Sequence, residues 1–254
     1  MRVVPVPAFN DNYIWIVQAP QNSQVVVVDP GDHQPVMAWL QQHQCSIAEI
    51  WITHHHADHT GGVAELVEAY DCPVRGPKDA CPDITHVQQD GDRFVSDLFN
   101  APVQVLSCPG HTLDHIAYYS APSLFCGDTL FSAGCGRMFE GTAEQFVTSL
   151  QKFRELPGET QVYCAHEYTQ ANVAFAQKVE PNNTFLQHFA QRVEQQRQQQ
   201  QTTLPSTMAV EMTVNPFLRF DQPAVKQSAE QHSGRSLSSN AEVFAAIRQW
   251  KDNN

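Results

Sequence analysis

Six residues constrain this 254-residue chain more than any other stretch: His54, His55, His56, Ala57, Asp58 and His59, entered from Thr53 and left through Gly61-Gly62. On an extended backbone His54, His56 and Asp58 share one face. On a helix Asp58 neighbours His54 while His56 points away. A loop just after a strand can turn several of these side chains inward. Imidazole and carboxylate are the ligands that borderline divalent metals accept, and four such groups this close repel one another without a cation. A lone strand-end histidine is usually a satisfied core residue, but His-x-His-x-Asp-His after an apolar strand is a different pattern. His55 is expected to turn away from the metals and to serve structure.

The surrounding pattern supplies the strand. Residues 3–6, 13–17 and 25–28 read as strands by their β-branched and aromatic content. Pro30-Gly31 stops the third, residues 34–43 have helical spacing, and residues 49–53 form the strand that enters the cluster. A helix is expected over 63–70, strands over 103–107, 115–120 and 123–126, a helix over 143–155 and a strand over 161–164. Strands interleaved with helices imply a layered α/β domain over residues 1–166. Residues 167–254 read as a smaller, mainly helical domain, with helices over 168–179, 184–201 and 240–251 and a loop at Asn215-Pro216-Phe217. The polar run 194–201 is read as a solvated helix face, because Phe185, Phe189 and Val193 recur at i, i+4 and i+8 before it.

Four ligands do not complete two metal sites. His111, Asp128 and His166 each follow an expected strand, in Pro109-Gly110-His111-Thr112, Gly127-Asp128-Thr129 and Ala165-His166-Glu167. Loops at the ends of strands along one layer edge can converge in space. A net charge of -12 makes nucleic acid and anionic membranes poor partners. The start of the chain lacks a signal-peptide pattern, and no stretch approaches the roughly 18 apolar residues of a membrane span. Seven scattered cysteines without a Cys-x-x-Cys pair then favour reduced thiols in the cytoplasm.

Thr-His-His-His-Ala-Asp-His, followed by Pro-Gly-His-Thr, Gly-Asp-Thr and a last His, resembles the metallo-β-lactamase superfamily. The resemblance implies an α/β fold, a four-layer αβ/βα sandwich with metals at one edge. It implies that His54, His56 and His111 bind one metal, that Asp58, His59 and His166 bind a second, and that Asp128 bridges both. Zinc is the expected ion, with iron or manganese as alternatives.

Further segments are similar to the glyoxalase II family, the hydroxyacylglutathione hydrolases. They are Asp11-Asn12-Tyr13, residues 130–137, Glu140-Gly141-Thr142, His166-Glu167-Tyr168-Thr169, Glu180-Pro181-Asn182-Asn183 and residues 215–219. The family hydrolyses S-D-lactoylglutathione to D-lactate and glutathione, the second step of methylglyoxal detoxification. The nucleophile implied is a hydroxide bridging the two metals, oriented by Asp58 and Asp128. Arg137, Phe139, Tyr168, Arg248 and Lys251 are the implied substrate-binding residues, with Phe139 where many members carry Tyr. Arg248 and Lys251 fall at i, i+3 on the last helix, and an Arg suits bidentate capture of a carboxylate. A β-lactamase, an RNA-processing nuclease, a one-iron persulfide dioxygenase and a non-catalytic metal-binding protein are the competing readings. A monomer is expected, because no large apolar stripe is evident.

Overall fold

The computed structural model describes residues 2–20, 22–96, 98–99 and 101–254. It divides into two compact units, Met1–Ser107 with Asp114–Gly127, and Cys108–Leu113 with Asp128–Asn254.

The first unit opens on three antiparallel strands, β1 (Arg2–Ala8), β2 (Asn12–Gln18) and β3 (Gln24–Val28), in a register that pairs Val4 with Ile16 and Trp15 with Val28. Residues 25–28 are valines, all buried. An unbroken β-branched run is what a strand covered on both faces needs. Helix α1 (His33–His43) then crosses to β4 (Ser46–Trp51), parallel to β3. The Asp32 side chain caps α1 by accepting from the Gln34 N–H at 2.9 Å. After β4 come a single helical turn, α2 (Ala57–Thr60), and α3 (Val63–Tyr70), then two short parallel strands, β5 (Val74–Gly76) and β6 (His86–Val87). The six strands lie side by side in chain order.

A second layer of strands is antiparallel: β7 (Arg93–Ser96), β8 (Ala101–Ser107), β9 (Ile116–Ser120) and β10 (Ser123–Gly127), in the order β10-β9-β8-β7. The two sheets meet at Trp51. Its ring stacks on Tyr118 at 5.0 Å and meets Phe94 and Phe125 edge-on at 5.7 and 5.9 Å. Aromatic pairs of this kind add about 0.5–1.5 kcal/mol each beyond the area they bury. The other face of the first sheet takes the helices: Val36 and Leu40 of α1 and Val63 and Leu66 of α3 join Val25, Val27, Ile50 and Ile52 in one apolar cluster. The position of β4 is therefore fixed from both sides just before His54.

His54, His55 and His56 lie in the loop expected after the strand, with two departures: β4 ends at Trp51 rather than Thr53, and Asp58 and His59 lie on a helical turn. Residues 57–60 close a helical turn in which the His56 carbonyl accepts from the His59 and Thr60 N–H groups, at 2.9 and 3.1 Å. Close backbone approach makes this turn possible. A Cβ on Gly31 would lie 1.9 Å from the Asp58 carbonyl oxygen, and one on Gly62 would lie 2.4 Å from the His33 nitrogen.

The second unit begins with a two-stranded hairpin, β11 (Leu130–Phe131) and β12 (Gly134–Cys135), then α4 (Ala143–Arg154) and β13 (Gln161–Cys164). Helices α5 (Thr169–Val179) and α6 (Thr184–Gln198) follow, then β14 (Ser206–Thr207), antiparallel to β13, and helices α7 (Met208–Val214), α8 (Pro223–Ser233) and α9 (Asn240–Asp252). Capping boxes start α4, with Thr142 and Gln145, and α9, with Ser239 and Glu242. The polar run after Val193 is helical through Gln198; of the three residues of its expected stripe, Phe189 and Val193 are buried, with Leu186, whereas Phe185 is 68% exposed. Phe244 of α9 packs on Phe146 of α4 at 5.0 Å and on Phe217 at 5.8 Å, which anchors the last helix. No helix among the described residues is long and apolar enough to cross a membrane.

Candidate metal centre and substrate pocket

Hydrogen-bond direction fixes most of the imidazoles. Asp29 directly follows β3 with φ of 52°, is 4% exposed and serves three groups. Its carboxylate accepts from the Thr53 N–H and the Thr53 hydroxyl, both at 2.8 Å, and from His59 Nδ1 at 3.0 Å. Because the Thr53 hydroxyl donates to Asp29, its oxygen must accept from His54 Nδ1, 3.0 Å away. His54 and His59 therefore carry their protons on Nδ1 and present Nε2 as a lone pair. His54 is also held flat against His115, ring centres 4.6 Å apart.

The inward nitrogens meet other candidate ligand atoms. His59 Nε2 lies 3.5 Å from Asp58 Oδ2. His54 Nε2 faces His56 Nδ1 at 3.1 Å. Ligand atoms of His54 and His56, of His54 and His59, and of Asp58 and His59 lie within 4.8 Å of one another. Asn12 donates from Nδ2 to Asp58 Oδ2 at 3.0 Å and so aims that carboxylate. His55 is exposed and turns to Asp114, with Nδ1 2.9 Å from Oδ1.

The second unit repeats the logic. His111 Nδ1 donates to the Arg137 carbonyl at 2.8 Å, leaving Nε2 as a lone pair 3.5 Å from Asp128 Oδ2. Asp128 Oδ1 is 3.3 Å from His166 Nε2, so this carboxylate sits between two imidazoles. His166 is held by ring contacts, stacked on Tyr168 at 4.7 Å with Phe131 edge-on at 5.7 Å. A lone pair facing a carboxylate at such distances is repulsive unless a proton or a cation lies between. Buried imidazoles whose outer nitrogen is already committed are arranged as metal ligands are. The donor set of nitrogen and carboxylate oxygen fits borderline divalent metals.

From His111 and Asp128 a cavity of about 510 Å³ runs to Arg137, Tyr168, Asn172, Arg248, Lys251 and Asp252. Phe139 stands on its rim, 60% exposed, edge-on to His111 at 5.3 Å. Arg248 is 4% exposed and strongly committed: one terminal nitrogen donates to the Cys135 carbonyl at 2.9 Å, the other to Asp252 Oδ1 at 3.0 Å. Lys251 Nζ donates to Asn172 Oδ1. Burial, and next the charge of Arg248, push the Lys251 ammonium down to about 8. A larger cleft, about 840 Å³, is lined by Glu180, Pro181, Asn182, Asn183, Arg219 and Trp250 and contains none of the expected metal or substrate-binding residues.

The Metallo-beta-lactamase superfamily model matches residues 8–166, and the model for the Hydroxyacylglutathione hydrolase C-terminus matches residues 167–254. A hydroxyacylglutathione hydrolase of Idiomarina loihiensis is 55% identical over 256 residues, covering 100% of this chain and 100% of that one. A hydroxyacylglutathione hydrolase of Nitrosomonas europaea is 49% identical, covering 100% of this chain and 96% of its own length. The chain belongs to the hydroxyacylglutathione hydrolase family. Its fold is that of the metallo-β-lactamase superfamily with a carboxy-terminal helical region. ETHE1 from Myxococcus xanthus, 24% identical, shares the fold with a TM-score of 0.67 over 99% of this chain and 98% of that one.

For this hydroxyacylglutathione hydrolase family member, sequence reasoning found the imidazoles and carboxylates but not what orients them. Asp29 and Thr53 were passed over, although Asp29-Pro30-Gly31 directly follows a buried valine run and such an aspartate is a natural ligand-orienting group. Asn12 was noticed as part of a motif and not as a donor to Asp58. In the pocket, Asn172 and Asp252 were missed. Asp252 was legible, since i, i+4 pairing puts it beside Arg248 on a helix.

Proposed function

We infer that this chain hydrolyses S-2-hydroxyacyl thioesters of glutathione, S-D-lactoylglutathione among them, to the hydroxy acid and glutathione. The observation that carries this reading is the full-length match to hydroxyacylglutathione hydrolases, including the carboxy-terminal region that brings Arg248 and Lys251 to the cavity. His54, His56 and His111 are proposed to hold one divalent metal and Asp58, His59 and His166 a second, with Asp128 shared between them. Zinc is the ion proposed, with iron or manganese as alternatives. When bound, such cations supply a water that ionises near neutral pH and a Lewis acid for the thioester carbonyl.

The chain's own residues do the rest. Asp29, Thr53 and the Arg137 carbonyl accept from Nδ1 of His59, His54 and His111 and so turn each Nε2 inward as the ligand atom. Asn12 holds Asp58, and Asp58 and Asp128 are proposed to orient the attacking water. Arg137 and Lys251 meet the glutathione carboxylates, with Tyr168 beside them, in a protein whose net charge of -12 would otherwise repel that anion. The leaving group is a thiolate, which departs without a strong protein acid. Among the described residues no cysteine is in a disulfide, in keeping with a reducing cytoplasm, the location proposed. A monomer is proposed.

Metal analysis of the purified protein, with a thioester assay that follows thioester loss against free thiol, tests this reading. Close to two metals per chain with stoichiometric thiol release is expected. A single metal with sulfite production, or β-lactam turnover without thioesterase activity, would overturn it.

A further inference from the structure

The sequence assigns Arg248 the task of gripping a carboxylate, yet its guanidinium already grips one. One terminal nitrogen is tied to the Cys135 carbonyl at 2.9 Å and reaches the Gly136 carbonyl at 3.4 Å; the other donates to Asp252 Oδ1 at 3.0 Å. The same Asp252 oxygen lies 3.8 Å from Arg137 Nε. Asp252 also lines the cavity, together with both arginines and Lys251. Its side chain is 38% exposed, whereas that of Arg248 is 5% exposed. A partly exposed carboxylate thus rests on a buried cation, within reach of a second cation that is itself 66% exposed.

Three cations and one carboxylate share this end of the cavity, and the carboxylate lies between two of them. We propose that Asp252 is a specificity-determining residue, a resident carboxylate that occupies the Arg137–Arg248 seat and that an incoming anion must displace. The inference rests on the reading of the cavity as the glutathione site. The consequence for selectivity is chemical. A weak or singly charged anion does not repay the loss of the Asp252 contacts. A ligand with two carboxylates at the right separation engages Lys251 and one arginine together, and releases Asp252 to solvent. The seat is closed to adventitious anions by the protein's own side chain, and without ligand Arg248 is not left as an uncompensated buried charge.

The test compares wild type with Asp252→Asn, which keeps an oxygen for the Arg248 N–H and removes the charge, and with Asp252→Glu, which restores the charge. Holoenzyme kinetics on S-D-lactoylglutathione are run beside calorimetric binding of glutarate, a plain dicarboxylate. Asp252→Asn is expected to lower KM about two- to five-fold, more than it changes kcat, and to tighten glutarate by a similar factor, as removal of a partly exposed competing charge should. Asp252→Glu is expected to return both towards wild type. A raised KM and weaker glutarate binding in Asp252→Asn would overturn the proposal, because Asp252 would then only position Arg248. Unchanged values would overturn it equally. If wild type leaves the thioester intact while glutarate tightens in Asp252→Asn, the substrate reading fails and the resident carboxylate stands.

Discussion

The histidine cluster and the cationic pocket solve opposite electrostatic problems with opposite means. The cluster gathers groups that bind cations and fixes which atom each of them turns inward. It does so over a short stretch of chain, with one buried carboxylate, Asp29, controlling His59 directly and His54 through Thr53. The pocket gathers cations in an acidic protein. It does so over residues far apart in sequence, by tying Arg248 to the Cys135 carbonyl and Lys251 to Asn172. The first is orientation by a hydrogen-bond relay within rigid sheet edges. The second is orientation by packing, since Arg248 and Lys251 ride on a helix held by Phe244 against Phe146 and Phe217.

Removing the cations that the cluster is built for gives the largest expected effect. Exhaustive chelation should abolish thioester hydrolysis, and restoring a divalent metal should return it; activity that survives chelation would break the comparison at its root. Next comes the relay. Asp29→Asn turns one of the two oxygens that accept from Thr53 and His59 into a donor and removes the charge, and metal affinity should fall about 10- to 100-fold, as loss of an orienting partner does. Competition with a chromophoric chelator reads it, and unaltered affinity would mean that His54 and His59 are oriented by packing, as the pocket is.

The pocket should respond differently. Arg248→Ala with Lys251→Ala should raise KM about ten-fold or more, with a smaller change in kcat and metal content intact. A kcat loss larger than the KM rise would move these residues into the chemical step. The pH dependence then isolates Lys251. Its ammonium is at about 8 in the folded chain, below its ordinary 10.5, so it is charged below pH 8 and neutral above. KM is therefore expected to climb as pH rises through 8 and to lose that climb in Lys251→Met. The sign for stability is the reverse: burial of the charge costs stability below pH 8, and the cost is relieved between 8 and 10.5. The smallest effect is at the rim, where Phe139→Tyr should lower KM by a factor of about two to five by restoring one exposed hydrogen bond.

What was legible in the sequence follows the same division. Strand β13 and helix α3 start and end as their patterns say, and the cluster announces itself because its residues are contiguous. Helices α7 and α8 went unread. Yet α8 carries a proline in its first turn and ends on Gly234 in the left-handed conformation, both ordinary boundary signals. Its mixed polar composition, with only Val225 and Ala229 buried, hid the periodicity. The short strands β5 to β7 and the hairpin β11–β12 were also missed, because two to four residues carry no period. Glu211 shows the deeper limit. It is fully buried and accepts from Ser132, Ala133, Ser206 and Asn215, holding the hairpin that leads to Arg137. Nothing in a lone glutamate on a short helix tells of partners nearly eighty residues away.

Asp29 has a last consequence. The two imidazoles it governs are proposed to serve different cations, His54 one and His59 the other. The two sites then share a single adjusting screw. A substitution that shortens, lengthens or tilts the aspartate resets both coordination spheres together, so metal preference at one site does not drift while the other stays fixed. Ligand swaps made one site at a time should accordingly give binding curves that change in pairs, and a chain selected for a new metal should change at Asp29 or Thr53 before it changes at any histidine.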